Sequence, residues 1–571
     1  MGKEPITIGM WVGAATSPNT LVTAQKAVNK AAGGNGTAPM ELVVCNCPWC
    51  GEPFIAPKNY VVSPMEFHFR CTNRDCDFGL SAGGIIPCNV VDEELYANPP
   101  TLLIATIDKF ARMAWEERTN AFFGINGNRP PELVVQDELH LISGALGSIT
   151  GLYEAALDSV LVQRGIHPKY IASTATIRMA GQQVRRLYGK DVAVFPPPGL
   201  SCDDSYFART VPLSEKPGRL YVGYLAPMLG RKPVGQTPSN IVPLAAAILL
   251  APEVVFADQE DQDSLLDAWW TQVVYHSSIK GVGSSHNAFS NDVREYFQRY
   301  LDEVNEAYRR GKEKKTVVGR RTARIAQLTS LSSAEENART FACLERSRED
   351  PECLDAVLAT NMISVGLDVA RLALMIINGQ PLTTAEYIQV SSRVGRGDTP
   401  GVVFTNYYRD QARSLSHYEN FRPYHESFYR FVEPTSVTPY TYQARLRALH
   451  AALVITVRHS CRHMLANKEA GNFNPADAST AKAIDILKLR CLQADETRAL
   501  ETAKHIDKLV NEWKAEADMC KASKRQLNYQ APDKDKVTER LIHNHDDKIK
   551  GMWATLQSMR NVENTALLKP L

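Results

Sequence analysis

Short apolar runs alternate with amphipathic stretches along much of this chain. Within the first 200 residues the β-rich runs are 101–106, 133–136 and 170–174, and the segments between them carry apolar residues at helical spacing. Such alternation is typical of a parallel sheet wrapped by helices. It resumes past residue 266, with a predicted helix over 291–310 and predicted strands at 271–275, 324–329, 356–360, 372–378 and 402–406. The pattern therefore predicts two α/β lobes.

The segments between and after these lobes follow other patterns. Residues 202–262 are rich in Pro and Gly and have no sustained period, whereas beyond Glu433 no strand pattern remains and apolar residues recur at helical spacing over 442–466 and 480–514. We therefore predict a first lobe over 1–200 with a cysteine-rich insert at 41–90, a linker or inter-lobe insertion over 201–265, a second lobe over 266–432 and an α-helical C-terminal region over 433–571.

Composition narrows the class of protein. A chain of 571 residues is too long for one core, and its net charge of +1 excludes a uniformly basic nucleic-acid coat. Binding of nucleic acid must then come from a local groove. The best apolar candidate for a membrane span, 242–251, is much shorter than the ~20 residues required, and the N-terminus has no signal-peptide pattern. We expect a cytoplasmic protein without a membrane partner.

An acidic turn follows the apolar run 133–135. Asp137, Glu138 and His140 would emerge at the carboxyl end of a buried strand, where open α/β sheets bind ligands. Asp137 is suited to hold Mg²⁺ through water, and Glu138 to polarise an attacking water. The alternative is a solvated acidic turn. Ser173-Thr174-Ala175-Thr176 closes the next predicted strand, where small hydroxylated residues can relay the state of a phosphate site.

The second lobe carries its own candidate residues. Thr360 follows a predicted strand and could hydrogen-bond a nucleic-acid phosphate, while Asp368 could face a ribose hydroxyl; an ordinary loop is the alternative. Gln389, Arg393 and Arg396 recur at a spacing of three to four residues, so a helix would present them on one face. Guanidinium groups there can neutralise charge on a transferring phosphoryl group, and a salt-bridged helix face is the alternative.

Six of the twelve cysteines lie between Cys45 and Cys88. The pairs Cys47/Cys50 and Cys71/Cys76 have the spacing of two zinc knuckles, which predicts one structural Zn²⁺ rather than disulfides in a cytosolic chain. The remaining candidate ligands are Cys45, His68 and Cys88, and unligated cysteines are the alternative. A separate basic stretch, 309–324, has eight Lys or Arg against one Glu; it is either a solvated helix end or a phosphate-contacting edge.

Taken together, these blocks resemble motifs II, III, V and VI of superfamily 2 helicases of the DExH type, over roughly residues 100–430. Thr106 and Ser277 lie in segments similar to motifs Ib and IV. The resemblance implies two RecA-like lobes, with ATP, Mg²⁺ and DNA as ligands. It implies catalytic roles for Asp137, Glu138, Arg393 and Arg396. It also implies nucleotide contacts from His140, Gly366, Asp368 and Gln389, and nucleic-acid contacts or coupling by Thr106, Thr174, Thr176, Ser277 and Thr360.

More narrowly, the chain resembles the large helicases of DISARM-type bacterial phage-defence systems. The cysteine-rich insert, the segment 428–434 and the ending 558–563 carry this resemblance. It implies a role in antiphage defence, with DNA and other defence proteins as partners.

One departure from the family pattern concerns the phosphate-binding loop. The sequence Gly-x-x-x-x-Gly-Lys-Ser/Thr does not occur in the chain, whereas in the family it lies upstream of the motifs found here. We therefore expect a first lobe that is incomplete at its N-terminus, with the loop supplied by a missing N-terminal part or by another polypeptide. With the loop restored, Asp137 and Glu138 should face Arg393 and Arg396 across a nucleotide-sized gap. The alternative is an ATPase-deficient, helicase-like nucleic-acid-binding partner, or one part of a split helicase.

Overall fold

A computed structural model describes most of the chain between residues 6 and 559. The described residues are 6–14, 16–34, 36–124, 127–174, 179–197, 199–201, 204, 209–216, 218–225, 259–293, 299, 302–303, 305–307, 309–311, 324–364, 368–397, 400–531, 539–548 and 550–559. They form two compact units. Unit 1 takes the described residues of 1–174, 178–193 and 434–571, and unit 2 takes those of 194–433.

The strands are short, as is usual in α/β proteins. In chain order they are β1 Ile8–Trp11, β2 Tyr60–Val62, β3 Phe67–Arg70, β4 Ile85–Ile86, β5 Cys88–Asn89, β6 Leu102–Ala105, β7 Leu133–Gln136, β8 Lys169–Ala172, β9 Leu220–Leu225, β10 Gln272–His276, β11 Ile325–Leu328, β12 Ala356–Ala359, β13 Leu374–Asn378, β14 Val402–Tyr407, β15 Leu527–Asn528, β16 Glu539–Arg540, β17 Ile542–His543 and β18 Trp553–Ala554.

The α-helices lie between these strands and dominate the C-terminal region. They are α1 Leu21–Gly33, α2 Asp92–Ala97, α3 Gly144–Gln163, α4 Ala180–Tyr188, α5 Gln259–Trp270, α6 Ile279–Ala288, α7 Ala334–Glu345, α8 Thr384–Ser391, α9 Ala412–Glu419, α10 Phe421–Glu426, α11 Tyr442–Ser460, α12 Ala478–Ala494 and α13 Ala499–Ala522.

Unit 2 is built on one six-stranded parallel sheet. Its strand order is β11-β12-β10-β13-β14-β9, and its central strands β10, β12 and β13 are buried at every position. Continuous aliphatic runs such as Leu374–Asn378 suit this environment, because a parallel sheet is covered by helices on both faces. The edge strand β9 comes from the segment predicted as a linker, and Leu220–Leu225 pairs along its whole length with β14.

Unit 1 contains two smaller parallel sheets, with orders β5-β1-β6 and β7-β8. Their main support is α3, in which nearly every side chain from Gly147 to Leu161 is buried. By length and composition α3 could cross a membrane, although the sequence analysis named only 242–251 as an apolar candidate. In this structure 72% of its apolar window is buried inside the protein, as in the core helix of a globular domain.

The C-terminal helices belong to the core of unit 1. α11, α12 and α13 share one continuous hydrophobic cluster with α3 and Trp11. The stretch 480–514, where apolar residues recur at helical spacing, forms two helices, because Asp495 ends α12 and its side chain accepts a hydrogen bond from the N–H of Thr497 at 3.1 Å. The prediction of no strands after Glu433 is wrong, since β15 to β18 form two small parallel pairs.

The cysteine-rich insert has a small core of its own. β2, β3 and β4 form an antiparallel sheet, and Phe54, Tyr60, Phe67 and Phe69 pack beneath it together with α1. The rings of Phe67 and Phe69 meet edge to face, with centroids 4.9 Å apart. Aromatic side chains bury a large area per residue, which allows a short insert to form a core.

Candidate functional site

The acidic turn of unit 1 lies directly after β7. Glu138 adopts a left-handed backbone conformation, with φ 51° and ψ 47°, and its N–H donates to Asp137 Oδ1 at 2.9 Å. For a residue with a side chain this conformation costs about 1–2 kcal/mol and is found most often at functional sites. The turn therefore holds the two carboxylates in a defined arrangement at the carboxyl end of a strand.

The predicted hydroxyl residues lie beside this turn. Ser173 follows β8, the parallel neighbour of β7, and its Oγ donates to Asp137 Oδ1. The N–H of Leu139 in turn donates to the Ser173 carbonyl at 3.0 Å. Ser173 belongs to the predicted hydroxylated segment 173–176, in which only Thr174 and Thr176 were assigned individual roles. The signal for Ser173 was its place at the end of a strand adjacent to β7. Thr176 lies outside the described residues.

His140 closes the arrangement in unit 1. Its Nδ1 lies 3.4 Å from Glu138 Oε2 and 3.5 Å from Thr174 Oγ1, and its side chain is only 8% exposed. Gln183 of α4 also holds the turn, because its amide nitrogen donates to the carbonyls of Leu139 at 3.2 Å and Ile142 at 2.8 Å. Sequence patterns gave no indication of Gln183. Asp137, Glu138, His140 and Thr174 are thus brought together in one unit.

Thr106 lies at the carboxyl end of β6 and begins a 3₁₀ helix, Ile107–Ala114. The end of this helix is held by the C-terminal region: the guanidinium of Arg458 donates to the Ala114 carbonyl at 2.9 Å, and His459 Nε2 lies 2.7 Å from the Met113 carbonyl. Burial lowers the pKa of His459 to about 3, so the ring is neutral and donates this bond from Nε2.

In unit 2 the prediction that one helix carries Gln389, Arg393 and Arg396 is wrong in part. Gln389 lies in α8, but α8 ends at Ser391, so Arg393 and Arg396 follow it in a turn. Gly395 shapes the turn that follows α8, because its φ is 65° and its position leaves no room for a side chain. A Cβ there would lie 2.5 Å from the backbone nitrogen of Gly401.

Arg396 makes an ion pair with Asp368. Its Nη1 lies 2.6 Å from Asp368 Oδ1, and its Nε donates to the Ser392 carbonyl at 3.0 Å. The Asp368 side chain is 80% exposed and that of Arg396 is 30% exposed. The two predicted residues are therefore neighbours at the surface of unit 2. Gly366, the other predicted contact in this segment, lies outside the described residues.

Thr360 and Ser277 lie at the carboxyl ends of neighbouring strands. Thr360 follows β12, its N–H donates to the Leu328 carbonyl at 3.1 Å, and the residue is only 8% exposed. Ser277 follows β10 and is exposed. Because parallel strands end at the same edge of a sheet, both residues occupy the ligand-binding edge expected for such sheets. Most of the basic stretch 309–324, and much of the helix predicted over 291–310, lie outside the described residues.

The four predicted cysteines converge in the insert. Their sulfur atoms all lie within 4.8 Å of one another, with Cys47 and Cys76 at 3.9 Å and Cys50 and Cys71 at 3.7 Å. Four thiolates at the usual Zn–S distance around a tetrahedral zinc lie about 3.8 Å apart. The donor set and its spacing therefore fit Zn²⁺.

Backbone and amide N–H groups surround these sulfurs. The N–H of Phe78 donates to Cys76 Sγ at 3.4 Å, and the Asn73 amide donates to Cys50 Sγ at 3.7 Å. The backbone N–H of Glu52 is the largest influence that lowers the pKa of Cys50, to about 7. Such bonds stabilise the thiolate form that binds metal. Of the other candidate ligands, Cys45 contacts Met40 and the Val43 carbonyl, and His68 pairs with Glu66.

Comparison with known proteins shows which proteins the chain resembles. The model of the helicase conserved C-terminal domain matches residues 296–398. The DISARM protein DrmA of Bacillus paralicheniformis is 34% identical over 617 aligned positions, which cover 99% of this chain and 53% of DrmA. The chain thus resembles superfamily 2 helicases and the DISARM protein DrmA. It spans about half the length of that relative. The predicted α/β fold is confirmed by the parallel sheets and the helices between their strands.

Two solved structures of helicases are also similar. The DUF1998 helicase MrfA bound to DNA and AMPPNP has 15% identity and a TM-score of 0.44, over 64% of this chain and 42% of MrfA. The Mycobacterium smegmatis helicase Lhr bound to single-stranded DNA and AMP-PNP has 14% identity and a TM-score of 0.40, over 86% of this chain and 48% of Lhr.

Proposed function

We propose that the chain is the motor part of an ATP-dependent DNA helicase or translocase that acts in antiphage defence. The observation that carries the proposal is the acidic turn, in which Asp137 and Glu138 share one strand end with Ser173 and His140. The defence context rests on the resemblance to the DISARM protein DrmA.

Asp137 is the proposed contact for Mg²⁺. Its Oδ1 accepts hydrogen bonds from Ser173 and from the Glu138 N–H, so these donors fix the carboxylate, and we propose Oδ2 as the oxygen that faces the ion. When bound, Mg²⁺ neutralises charge on the nucleotide phosphates. The carboxylate of Asp137 fits this ion because magnesium is usually held by one or two carboxylates together with water and substrate oxygens.

Glu138 is the proposed contact for the attacking water. Its backbone is left-handed, and its Oε2 lies 3.4 Å from His140 Nδ1. From this position the carboxylate can orient a water and accept its proton as the bond to phosphorus forms. His140 also reaches Thr174, so a change at Glu138 can be passed to the segment that follows β8.

Arg393 and Arg396 are the proposed donors to the transferring phosphoryl group. In this structure Arg396 is paired with Asp368, and exposed ion pairs of this kind contribute about 0–1 kcal/mol. A phosphate bearing several negative charges can therefore displace Asp368 at little cost. Gln389 on α8 and the freed Asp368 then remain as the proposed contacts for the rest of the nucleotide.

Nucleic acid is the proposed partner of Thr106, Thr360 and Ser277. Each lies at the carboxyl end of a parallel strand, and Thr106 begins a helix braced by the C-terminal region. Contacts of this kind go to the sugar-phosphate backbone and carry little sequence information. Zinc in the insert is proposed to stabilise its fold, because four cysteine ligands leave no open position for catalysis.

A second candidate is a nucleic-acid-binding partner without ATP turnover. It is favoured by one observation, the absence of the Gly-x-x-x-x-Gly-Lys-Ser/Thr sequence from this chain. To separate the two, ATP hydrolysis and single-stranded DNA binding should be measured for this chain mixed with the part of DrmA outside the match. The motor predicts hydrolysis that DNA stimulates, whereas DNA binding without hydrolysis in the mixture favours the second candidate.

A further inference from the structure

Four of the thirteen histidines lie together in the C-terminal region of unit 1. They are His450 of α11, His505 of α13, His543 of β17 and His545 in the turn after β17. Burial is the main cause that lowers the pKa of His450 to about 4, and the other three imidazoles lower it further because they lie close to its ring. The cluster lies on elements other than those that carry the acidic turn or the zinc ligands.

Two of these imidazoles are buried. His450 is 5% exposed and His543 is 7% exposed. His543 lies opposite Ala554 in the register of β17 and β18, and the ring of His450 contacts the neighbouring Trp553, with centroids 5.9 Å apart. His450 Nε2 and His543 Nδ1 are buried atoms that have no hydrogen-bond partner among the described residues. Buried polar atoms are nearly always hydrogen-bonded, so two such atoms in one cluster indicate a place for a polar ligand.

Cationic side chains surround the four imidazoles. They are Arg445 and Arg447 of α11, Lys508 of α13, and Arg540 and Lys550, which precede and follow β17. After burial, the largest influence on the pKa of His545 is Arg447 and that on the pKa of His543 is Lys550, and both lower it. Lys550 Nζ also donates to the His545 carbonyl at 2.9 Å. Arg540 Nε is a further buried donor that no described residue accepts from.

The acidic residues near the cluster do not cancel this charge. They are Glu501, Glu512, Asp546 and Asp547. Each glutamate already pairs with a cation of the cluster, at 3.1 Å and 3.7 Å. At His543 and His545 the cations outweigh the two aspartates in their effect on the pKa. The surroundings of the imidazoles are therefore positive, and such surroundings attract an anion.

This positive charge decides between two kinds of ligand. Imidazoles often bind metal ions, but neighbouring cations repel a metal. In the part of the chain that the structure describes, only the four cysteines of the insert bring three or more candidate metal ligands within 4.8 Å of one another. Arginine, lysine and protonated histidine are instead common donors to phosphate, whose oxygens accept hydrogen bonds from several directions.

We propose that this histidine cluster, defined by Arg447, His450, His505, His543, His545 and Lys550, is a binding site for a phosphate group. His450 and His543 form its buried side, whereas half-buried His505 and His545 and exposed Lys550 reach the surface. A phosphate of nucleic acid and a free phosphate ion share this chemistry. A bound anion favours the charged form of an imidazole, so binding takes up protons and is tighter at acidic pH. The proposal does not depend on the proposed motor function.

The test is titration calorimetry of the purified chain with sulfate at pH 6 and pH 8, at constant ionic strength. Sulfate has the tetrahedral shape of phosphate but keeps its charge over this range, so any pH dependence comes from the protein. We expect one sulfate per chain, bound at least about fivefold more tightly at pH 6, with net uptake of protons. Arg447→Gln and His505→Gln should each weaken binding at least about fivefold. His505→Arg should retain the affinity and take up fewer protons.

The matched control is Lys504→Gln, which removes an exposed charge next to His505 on α13. It should bind sulfate like the unchanged protein, and unaltered circular dichroism should show that all variants fold. The inference is overturned if neither sulfate nor inorganic phosphate binds, or if Lys504→Gln weakens binding as much as Arg447→Gln. Zinc binding that Cys71→Ser retains and His505→Gln removes also overturns it, because the cluster is then a metal site.

Fluorescence anisotropy with a single-stranded oligonucleotide identifies the source of the phosphate. Competition by sulfate, together with weaker DNA binding by Arg447→Gln, assigns the site to nucleic acid. Loss of sulfate binding in Arg447→Gln with unchanged DNA affinity assigns it to a free phosphate ion. Both results support the site. Because no readout involves ATP hydrolysis, failure of the proposed motor function leaves these outcomes unchanged.

Discussion

Arg490 of α12 forms a buried ion pair with Asp158 of α3, with Nε 3.0 Å from Oδ2 and both side chains only 4% exposed. The same guanidinium donates to the Leu187 carbonyl at 3.0 Å, at the end of α4. The guanidinium lies against Gly189, where a Cβ would be 2.0 Å from Arg490 Nη1. One side chain thus joins α12 to α3 and α4, whose contact residues precede it by 332 and 303 positions, which makes the C-terminal region an integral part of unit 1.

Removing this side chain should destabilise unit 1 strongly. Arg490→Met leaves Asp158 buried without its main partner, and such losses typically cost about 3–5 kcal/mol. Urea unfolding followed by circular dichroism measures the change. Lys488→Met on the same helix is the control, because its ion pair with Asp507 is largely at the surface and contributes at most about 1 kcal/mol. Equal effects of the two substitutions would contradict the role assigned to Arg490.

Glu154, one turn before Asp158, should make the stability depend on pH. Burial raises the pKa of Glu154 to about 7, above its ordinary value of 4.5, although Arg490 opposes the shift. A carboxyl group whose pKa is higher in the folded state binds more protons there, so stability falls as the pH rises from about 4.5 to about 7. Glu154→Gln should therefore raise the free energy of unfolding by roughly 3 kcal/mol at pH 8 and leave it nearly unchanged at pH 4.

The check is the urea midpoint measured at both pH values. Glu501→Gln, at an exposed position, serves as the control and should leave the pH dependence intact. If Glu154→Gln retains the full pH dependence of the unchanged protein, the carboxyl group of Glu154 is not its source.

The insert should contain one zinc ion per chain. Cys71→Ser removes one of four ligands and should abolish stoichiometric zinc, measured by elemental analysis of the purified protein. Cys45→Ser should keep the metal, since the Cys45 thiol contacts Met40 and Val43 rather than the cluster. The assignment fails if the unchanged protein holds no zinc, or if Cys45→Ser loses it to the same extent as Cys71→Ser.

Gly395 should be essential for the arginine turn of unit 2. Gly395→Ala places a side chain at φ 65° and against Gly401, so we expect a loss of about 1–3 kcal/mol in stability. Gly283→Ala is the control, because it lies within α6 with nothing within 4 Å of the new Cβ and should be neutral or stabilising. Thermal melting of both variants compares them directly, and a neutral Gly395→Ala would show that this turn accepts other conformations.

These residues also show how far sequence patterns reach. The strands β7, β10 and β12 were predictable, because aliphatic runs bounded by polar residues have few alternatives. The convergence of Cys47, Cys50, Cys71 and Cys76 was predictable because cysteine spacing reflects knuckle geometry directly. The end of α8 after Ser391 was not, since Gln389, Arg393 and Arg396 fit helical spacing and the turn beyond the helix depends on the close approach of Gly395 to Gly401.

Contacts between residues far apart in the sequence could not be predicted from sequence patterns, for a different reason. Arg490 and Asp158 are 332 positions apart, and each alone has the pattern of an exposed helical charge. Likewise β9 lies in a segment rich in Pro and Gly, and its strand conformation depends on the neighbouring β14. Hydrophobic periodicity reports which face of an element is buried, but not which distant element covers it.

The central claim is that Glu138 orients the water that attacks ATP, and the most direct measurement is the rate of ATP hydrolysis with single-stranded DNA. It should be made on this chain combined with the part of DrmA outside the match. The account predicts that Glu138→Gln abolishes DNA-stimulated hydrolysis while leaving DNA binding and the fold intact. Glu132→Gln, an exposed glutamate just before β7, should hydrolyse ATP at the unchanged rate. Hydrolysis by Glu138→Gln at the rate of the unchanged protein would contradict the account.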